Sequence, residues 1–471
     1  MDKHNNILSQ KASIWSKLKD ALKGTEADYT KISLKNAIFL LAVPMILELV
    51  MESTFAVVDI FFVSKLGPSA VAAVGLTETY LFLLYSVAMG LSMAVTAIIA
   101  RRVGEKKKEE GGVAAVQSII LAVLASLPLA MAGIFFSKEL LSLMGGDQWV
   151  LDHGYRYTQW MLGGNMVIVL IFVINAIFRG AGDAAIAMRI LWISNTINIV
   201  LDPMLILGWG PFPAMGVEGA AIATNIGRGI GVLVQLYALF KGGKHIQIKL
   251  EQLYWNGKVA LNILRTSLGG IGQMLISMTS WIFLMRILAD IGSEVVAAAT
   301  IVIRLLMFTL MPAWGLSNAA ATLVGQNLGA DDADRAEKSV WMIGFYNMIY
   351  LVIVSILYYL FNESLMRIFT DDPKVISIGA EWVRILSYSY FVYGWWMVSV
   401  QAFNGAGDTK TPTWINVIFF WIIQIPLSYW LAIELDWAHS GVFWGVFISE
   451  TMVGLFTLML FRRGSWKTMQ V

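Results

Sequence analysis

Three acids stand where acids are expensive. Glu48, Glu52 and Asp59 lie inside AIFLLAVPMILELVMESTFAVVDIFFVS, residues 37–64. That run is long and apolar enough to cross a bilayer, since about 20 such residues suffice. The acids are four and seven residues apart. At about 100° per residue they fall within roughly 40° of one another on a helix. One face of a spanning helix is thus a carboxylate stripe. Intramembrane acids face a bundle interior or a wet cavity and mark ion or substrate paths. The competing reading is structural: buried acids paired with buried bases for packing.

A second polar set lies in ILWISNTINIVLDPMLIL, residues 190–207. Asn195, Asn198 and Asp202 sit at i, i+3 and i+7, on one helical face. Pro203 cannot donate to the Ile199 carbonyl, so a kink and a free oxygen are expected beside Asp202. Thr224 and Asn225 add polar atoms further on. Asp59 and Asp202, with amide oxygens, a hydroxyl and a freed carbonyl, make an oxygen-rich site. Two close carboxylates at low dielectric cannot both stay ionised; a proton or a cation must neutralise the pair. That is the chemistry of a carrier coupled to H+ or Na+. Hard cations of this kind need several oxygen ligands. Interhelical hydrogen bonding explains the amides and hydroxyl, but not Asp59 together with Asp202.

The elements that carry these residues are set by composition. Hydrophobic residues make up 58% of the 471, charged residues 14%, and the mean hydropathy is +0.68. This is an all-α polytopic membrane protein. Twelve apolar segments are expected at about 37–64, 70–100, 113–136, 155–178, 187–209, 216–240, 258–288, 296–325, 339–361, 377–404, 413–434 and 441–462. A short amphipathic helix at the membrane surface is expected over 14–23, with a solvated tail as the alternative. A cleavable leader is not expected, since the stretch before the first span is polar and Lys-rich. Bases gather in the N-terminal tail, at Arg101, Arg102 and Lys106 to Lys108, and again at Arg179, Lys241, Lys244, Lys249, Arg335, Lys338, Lys410, Arg462, Arg463 and Lys467. The connections 208–215 and 434–440 have none. Both termini are therefore expected on the cytoplasmic side. There is no cysteine, which excludes disulfides and thiolate metal sites. His4, His153, His245 and His439 fall in tails or loops, so a histidine metal centre in the core is not expected. The net charge of +2 gives no sign of a nucleic-acid partner.

The chain repeats itself. GLSMAVTAIIARRVG from Gly90 returns as GLSNAAATLVGQNLG from Gly315, an offset of 315 − 90 = 225. FRGAGD from Phe178 returns as FNGAGD from Phe403, and LGPSAVAAVG from Leu66 as IGSEVVAAAT from Ile291, at the same offset. Six spans are thus repeated in parallel, two lobes about a central cleft. The expected division is 1–35 cytoplasmic tail, 36–240 N-lobe, 241–257 linker, 258–463 C-lobe and 464–471 tail. The buried acids are not repeated: Glu48, Glu52 and Asp59 correspond to Gln273, Ser277 and Leu284, and Asn198 and Asp202 to Ile423 and Leu427. Asp183 and Asp408 in the FxGAGD turns are read as caps of the next helix. Arg228, Arg304 and Glu450 lie within spans and are expected to form ion pairs, with a substrate role as the alternative for Arg304. Trp281, Trp314, Trp395, Trp396, Tyr390, Met274, Met278 and Met311 suit a promiscuous apolar pocket, although interfaces and cores also draw these types.

The twelve spans in two copies, FRGAGD, residues 198–224 and LVGQNLGA (323–330) resemble the multidrug and toxic compound extrusion family over residues 33–463. The resemblance implies a monomeric exporter of amphipathic, often cationic organic compounds, driven by sodium or proton entry, multi-pass in the inner membrane. It places the cation site at Asp59, Asn198, Asp202 and Thr224. Family residues also fall on Tyr157 and Asn175; on a straight helix these are about 27 Å apart, so both reach one ion only if Gly163–Gly164 bends the span. Further candidates for cation or substrate contact are Glu48, Glu52, Asn195 and Gln273. No cofactor is expected beyond the coupling ion. A lipid-linked saccharide flippase of similar architecture is the alternative; its cleft should be cationic, and here it is acidic. An enzyme is not expected, because no catalytic dyad or HExxH motif is present.

Overall fold

The computed structural model describes residues 14–25, 27–242 and 245–469; His4 and Lys244 lie outside them. Among the described residues there is no strand. A short helix α1 (Ile14–Lys23) leads into the first six spans: α2 (Leu34–Ser64), α3 (Pro68–Gly104), α4 (Lys108–Leu143), the pair α5 (Tyr155–Gly163) and α6 (Asn165–Ala181), α7 (Ala184–Ile206) and α8 (Val217–Lys241). The second six are α9 (Gly257–Ile291), α10 (Ser293–Gly329), α11 (Ala333–Arg367), the pair α12 (Pro373–Ser387) and α13 (Tyr390–Ala406), then α14 (Lys410–Asn416) with α15 (Ile425–Tyr429), and α16 (Ala438–Arg463). Eleven of these stretches are long and apolar enough to cross a membrane. The twelfth is split into α12 and α13, and neither piece has the length alone. Most helices overrun the expected spans by a few residues at each end, because polar turns continue the helix beyond the apolar run.

The repeat is written into the backbone. The fourth span breaks at Gly163–Gly164 and the tenth at Tyr388–Ser389, at the same offset. Non-helical turns interrupt α4 at Phe136 and α11 at Phe361. Gly182 and Gly407 both take φ of +90°, and each closes the same turn: Asp183 N donates to Phe178 O at 2.8 Å, and Asp408 N to Phe403 O at 3.0 Å. A left-handed residue there needs glycine, which lacks the Cβ that would clash. Capping differs between the copies. Asp408 accepts from Thr411 N at 3.1 Å, whereas Asp183 makes no capping bond.

Each half has its own apolar core, one running from Val63 to Ile263 and the other from Leu284 to Val446. A third cluster joins them: Ala37 to Met45 of α2 with Ala319 to Leu328 of α10 and parts of α11 and α13. The repeated glycines set this junction. A Cβ on Gly90 would strike the Ile271 backbone, and one on Gly315 the Ile46 backbone; one on Gly104 would strike the Gln326 carbonyl, and one on Gly329 that of Arg101. These contacts exchange under the repeat, as a two-fold axis between parallel copies requires. They lie toward the face at which α2 begins and α3 and α10 end.

That face is also strapped. The α1 helix packs on α2 and α7. The Tyr29 hydroxyl then donates to Gly182 O at 3.1 Å, while Arg335 of the C-lobe donates to Tyr29 O at 3.0 Å and to Ile32 O. At the other end of the chain, Arg101 of the N-lobe donates to Met469 O. Burial pushes the Tyr29 hydroxyl up to about 12 and the Asp183 carboxyl up to about 7.

Candidate functional site: buried carboxylates of the N-lobe

Close packing of α7 on α8 builds the site. A Cβ on Gly227 would meet Ser194 O and Asn198, one on Gly231 would meet Ser194, and one on Gly219 would meet the Leu205 carbonyl. With glycine at these positions the helices come close enough for Asn198 Nδ2 to donate to Thr224 Oγ1 at 3.1 Å. Asn198 Oδ1 is left buried without a partner. One turn on, α7 runs helically through Pro203, and Asp202 is fully buried with neither carboxylate oxygen hydrogen-bonded. Asp59 of α2 likewise has an unpartnered buried Oδ1. Asp202 feels the charge of Asp59, and Tyr157, buried beside them, feels both.

Asp59 and Tyr157 also feel a third acid, Glu78 of α3. Glu78 was not singled out in the sequence. Its repeat partner is Ile303, so the asymmetry that marks Asp59 and Asp202 marks Glu78 as well.

Glu48 and Glu52 behave differently. Arg179 meets Glu48 Oε1 at 2.8 Å, and Asn175 Nδ2 donates to the same oxygen at 3.1 Å. Gln235 in turn donates to Asn175 at 2.7 Å. Arg228 meets Glu52 Oε1 at 2.6 Å, and Asn195 Nδ2 donates to Glu52 Oε2 at 3.0 Å. The expected open stripe of three acids is therefore corrected. Glu48 and Glu52, one turn apart, each face an arginine from α6 or α8, as the structural reading required. Asp59, two turns further, has no ion pair among the described residues. Arg228, paired with Glu52, also acts on Asp59 from further off; Asp59, Asp202 and Glu78 have no ion pair among the described residues.

The break at Gly163–Gly164 separates the two family-matched residues of the fourth span. Tyr157 joins the aspartates; Asn175 joins Glu48. Asn225 fills the break, donating to Trp160 O at 2.9 Å. Gln273 lies in the C-lobe, where Asn416 donates to its backbone oxygen at 3.3 Å. The expected ion pairing holds for Arg228 but not for Arg304, which is exposed, nor for Glu450; neither has an ion pair among the described residues. Trp314 and Met311 line a narrow cavity between the lobes, about 140 Å³, with Glu48, Asn175, Arg179 and Gln401. Trp281, Tyr390 and Met278 line a separate cavity in the C-lobe. Trp395 and Trp396 pack against Trp341 and Tyr393.

Two pseudo-symmetric six-span lobes about a cleft, with a group of unpaired acids in the first of them, define the architecture of a membrane transporter. The family model MatE matches residues 44–204 and 267–430, and the chain belongs to that family of multidrug efflux transporters; it is not an enzyme. "Probable multidrug resistance protein NorM" of Thermotoga maritima is 28% identical over 91% of this chain and 92% of its own length. "FAD transporter" of Shewanella oneidensis is 27% identical over 82% of this chain and 86% of its own. Among solved structures, the outward-facing conformation of a multidrug resistance MATE family transporter of the MOP superfamily superposes with a TM-score of 0.86, at 25% identity, over 93% of this chain and 98% of that one.

Proposed function

We propose that the chain exports amphipathic organic compounds, often cationic, in exchange for H+ or Na+, and that the exchange is coupled at the N-lobe carboxylates. The observation that carries this reading is Asp202: fully buried, both oxygens without hydrogen-bond partners, and in the field of Asp59. A buried charge left so is costly unless a proton or cation compensates it. Entry of the ion at Asp59, Asn198, Asp202 and Thr224, beside Tyr157, neutralises the site and favours one arrangement of the lobes; its release favours the other. Na+, as cargo, fits the donor set, which is oxygen throughout. The chain functions as a monomer, since both lobes and the cavities come from one polypeptide. It lies in the inner membrane with both termini cytoplasmic, as the basic connections favour.

The test is efflux of an organic-cation dye from vesicles holding the purified chain, with pH and sodium gradients imposed separately. One gradient is expected to drive efflux, and Asp59→Asn and Asp202→Asn to abolish it while inserting normally. Normal gradient-driven efflux by both variants would remove this site from the mechanism. FAD, the cargo in a relative's name, serves as the anionic comparison compound.

A further inference from the structure

We infer that the C-lobe holds a separate binding site for bulky organic monocations, with Glu450 as the countercharge; this rests on the exporter reading above. The cavity measures about 560 Å³, within the range that encloses drug-sized ligands. Its walls are apolar side chains of α9, α10, α12, α13 and α16, closed on the N-lobe side by Thr79 and Phe82 of α3.

The repeat shows why Glu450 is out of place. Its counterpart is Asn225, which donates from its amide to Trp160 O and fills the break in the fourth span. Glu450 occupies the same position beside the matching break at Tyr388–Ser389, and Ser389 lines the cavity with it. Glu450 has no amide to donate to such a carbonyl. The break in the tenth span instead borders the cavity, through Ser389. Glu450 Oε2 is buried without a hydrogen-bond partner, and no base pairs with the residue among the described residues.

The surrounding rings complete the argument. Trp281, Tyr390, Tyr393 and Phe82 face the cavity. Tyr390 is held by Thr309, 2.9 Å from its hydroxyl, and stacks on Tyr358 at 5.6 Å and on Tyr393 at 6.2 Å. Fixed ring faces attract a cation, most strongly where water is excluded. One carboxylate among rings and flexible methionines (Met278, Met285, Met307) selects by charge and bulk rather than by shape. Because Phe82 and Thr79 belong to the opposite lobe, any rocking of the lobes changes the cavity's mouth.

The experiment measures equilibrium binding to the full chain in lipid nanodiscs with no ion gradient. The probes are methyltriphenylphosphonium and its uncharged analogue triphenylphosphine oxide. The unmodified protein is expected to prefer the cation. Glu450→Gln is expected to raise the Kd of the cation by about tenfold or more, as loss of a desolvated countercharge should, and to leave the oxide within about twofold. Met307→Trp, which fills the cavity, is expected to weaken both probes and decides the matter should Glu450→Gln fail to fold; the exposed Glu363→Gln is the neutral control. Cation affinity unchanged in Glu450→Gln and Met307→Trp, or no binding of the cation by the unmodified protein, overturns the inference. Because no gradient is used, those results leave the coupling test at Asp59 and Asp202 standing or falling separately.

Discussion

The two lobes share a backbone and differ in the side chains set on it. Where the N-lobe places Asp59, Glu78, Tyr157 and Asp202, the C-lobe has Leu284, Ile303, Trp382 and Leu427. Trp382 stacks on Phe443 at 4.6 Å in the heart of the C-lobe core. In the fifth span α7 is regular and presents Asn198 and Asp202 inward; its counterpart passes through π-helical turns at 417–424 and 430–434. At these four positions one frame carries three acids and a tyrosine on one side and apolar side chains on the other. The division of labour proposed above follows from dielectric physics. A small ion is held by oxygen ligands, whereas a large apolar cation is held by polarisable surface and one countercharge.

The comparison breaks most readily at its extreme. Asp202→Asn is expected to lower gradient-driven efflux to the level of protein-free vesicles, while Leu427→Met at the equivalent position keeps it within about twofold, as a volume-conserving change should. Equal losses in the two variants would mean that the lobes do not differ in this way. Next in size is Arg228→Gln, which strands Glu52 in the N-lobe interior. Thermal unfolding in detergent is expected to show a loss of about 3–5 kcal/mol, most of it restored by adding Glu52→Gln.

The FxGAGD turns supply a finer contrast. Asp408→Ala removes a cap and should cost about 1 kcal/mol. Asp183→Asn should act with the opposite sign, and only at higher pH. Burial raises the Asp183 carboxyl from 3.8 to about 7. The folded protein therefore holds a proton that the unfolded chain has released, and this contribution to stability is lost as pH rises through about 7. Unfolding midpoints measured from pH 5 to 9 should decline less steeply in Asp183→Asn than in the parent.

Much of this was legible in the sequence, and the reasons are specific. The gapless offset between Gly90 and Gly315 fixed the number of spans, because close helix approach needs glycine at the same places in both copies. Asp59, Asn198 and Asp202 stood out because their repeat counterparts, Leu284, Ile423 and Leu427, are apolar; Thr224, whose counterpart Ser449 keeps the hydroxyl, joined them through the family resemblance. An ion pair was expected of Arg228, but which arginines meet Glu48 and Glu52 was not foreseen, since Arg179 and Arg228 lie more than a hundred residues away and only packing brings them close. Glu78 carried the right signal in its unmatched partner Ile303. Glu450 was misread as one of an ion pair because sequence shows that an acid lies in a span, not what faces it.

The straps on the terminal face carry a practical consequence. Tyr29 links Gly182 of one lobe to Arg335 of the other, and Arg101 grips the carbonyl of Met469 two residues from the chain's end. Each lobe is thus tethered to its neighbour by tail as well as by helix, so a bulky group introduced beside Met469 would load the latch itself. Turnover measured on such a variant would report the added group along with the transporter.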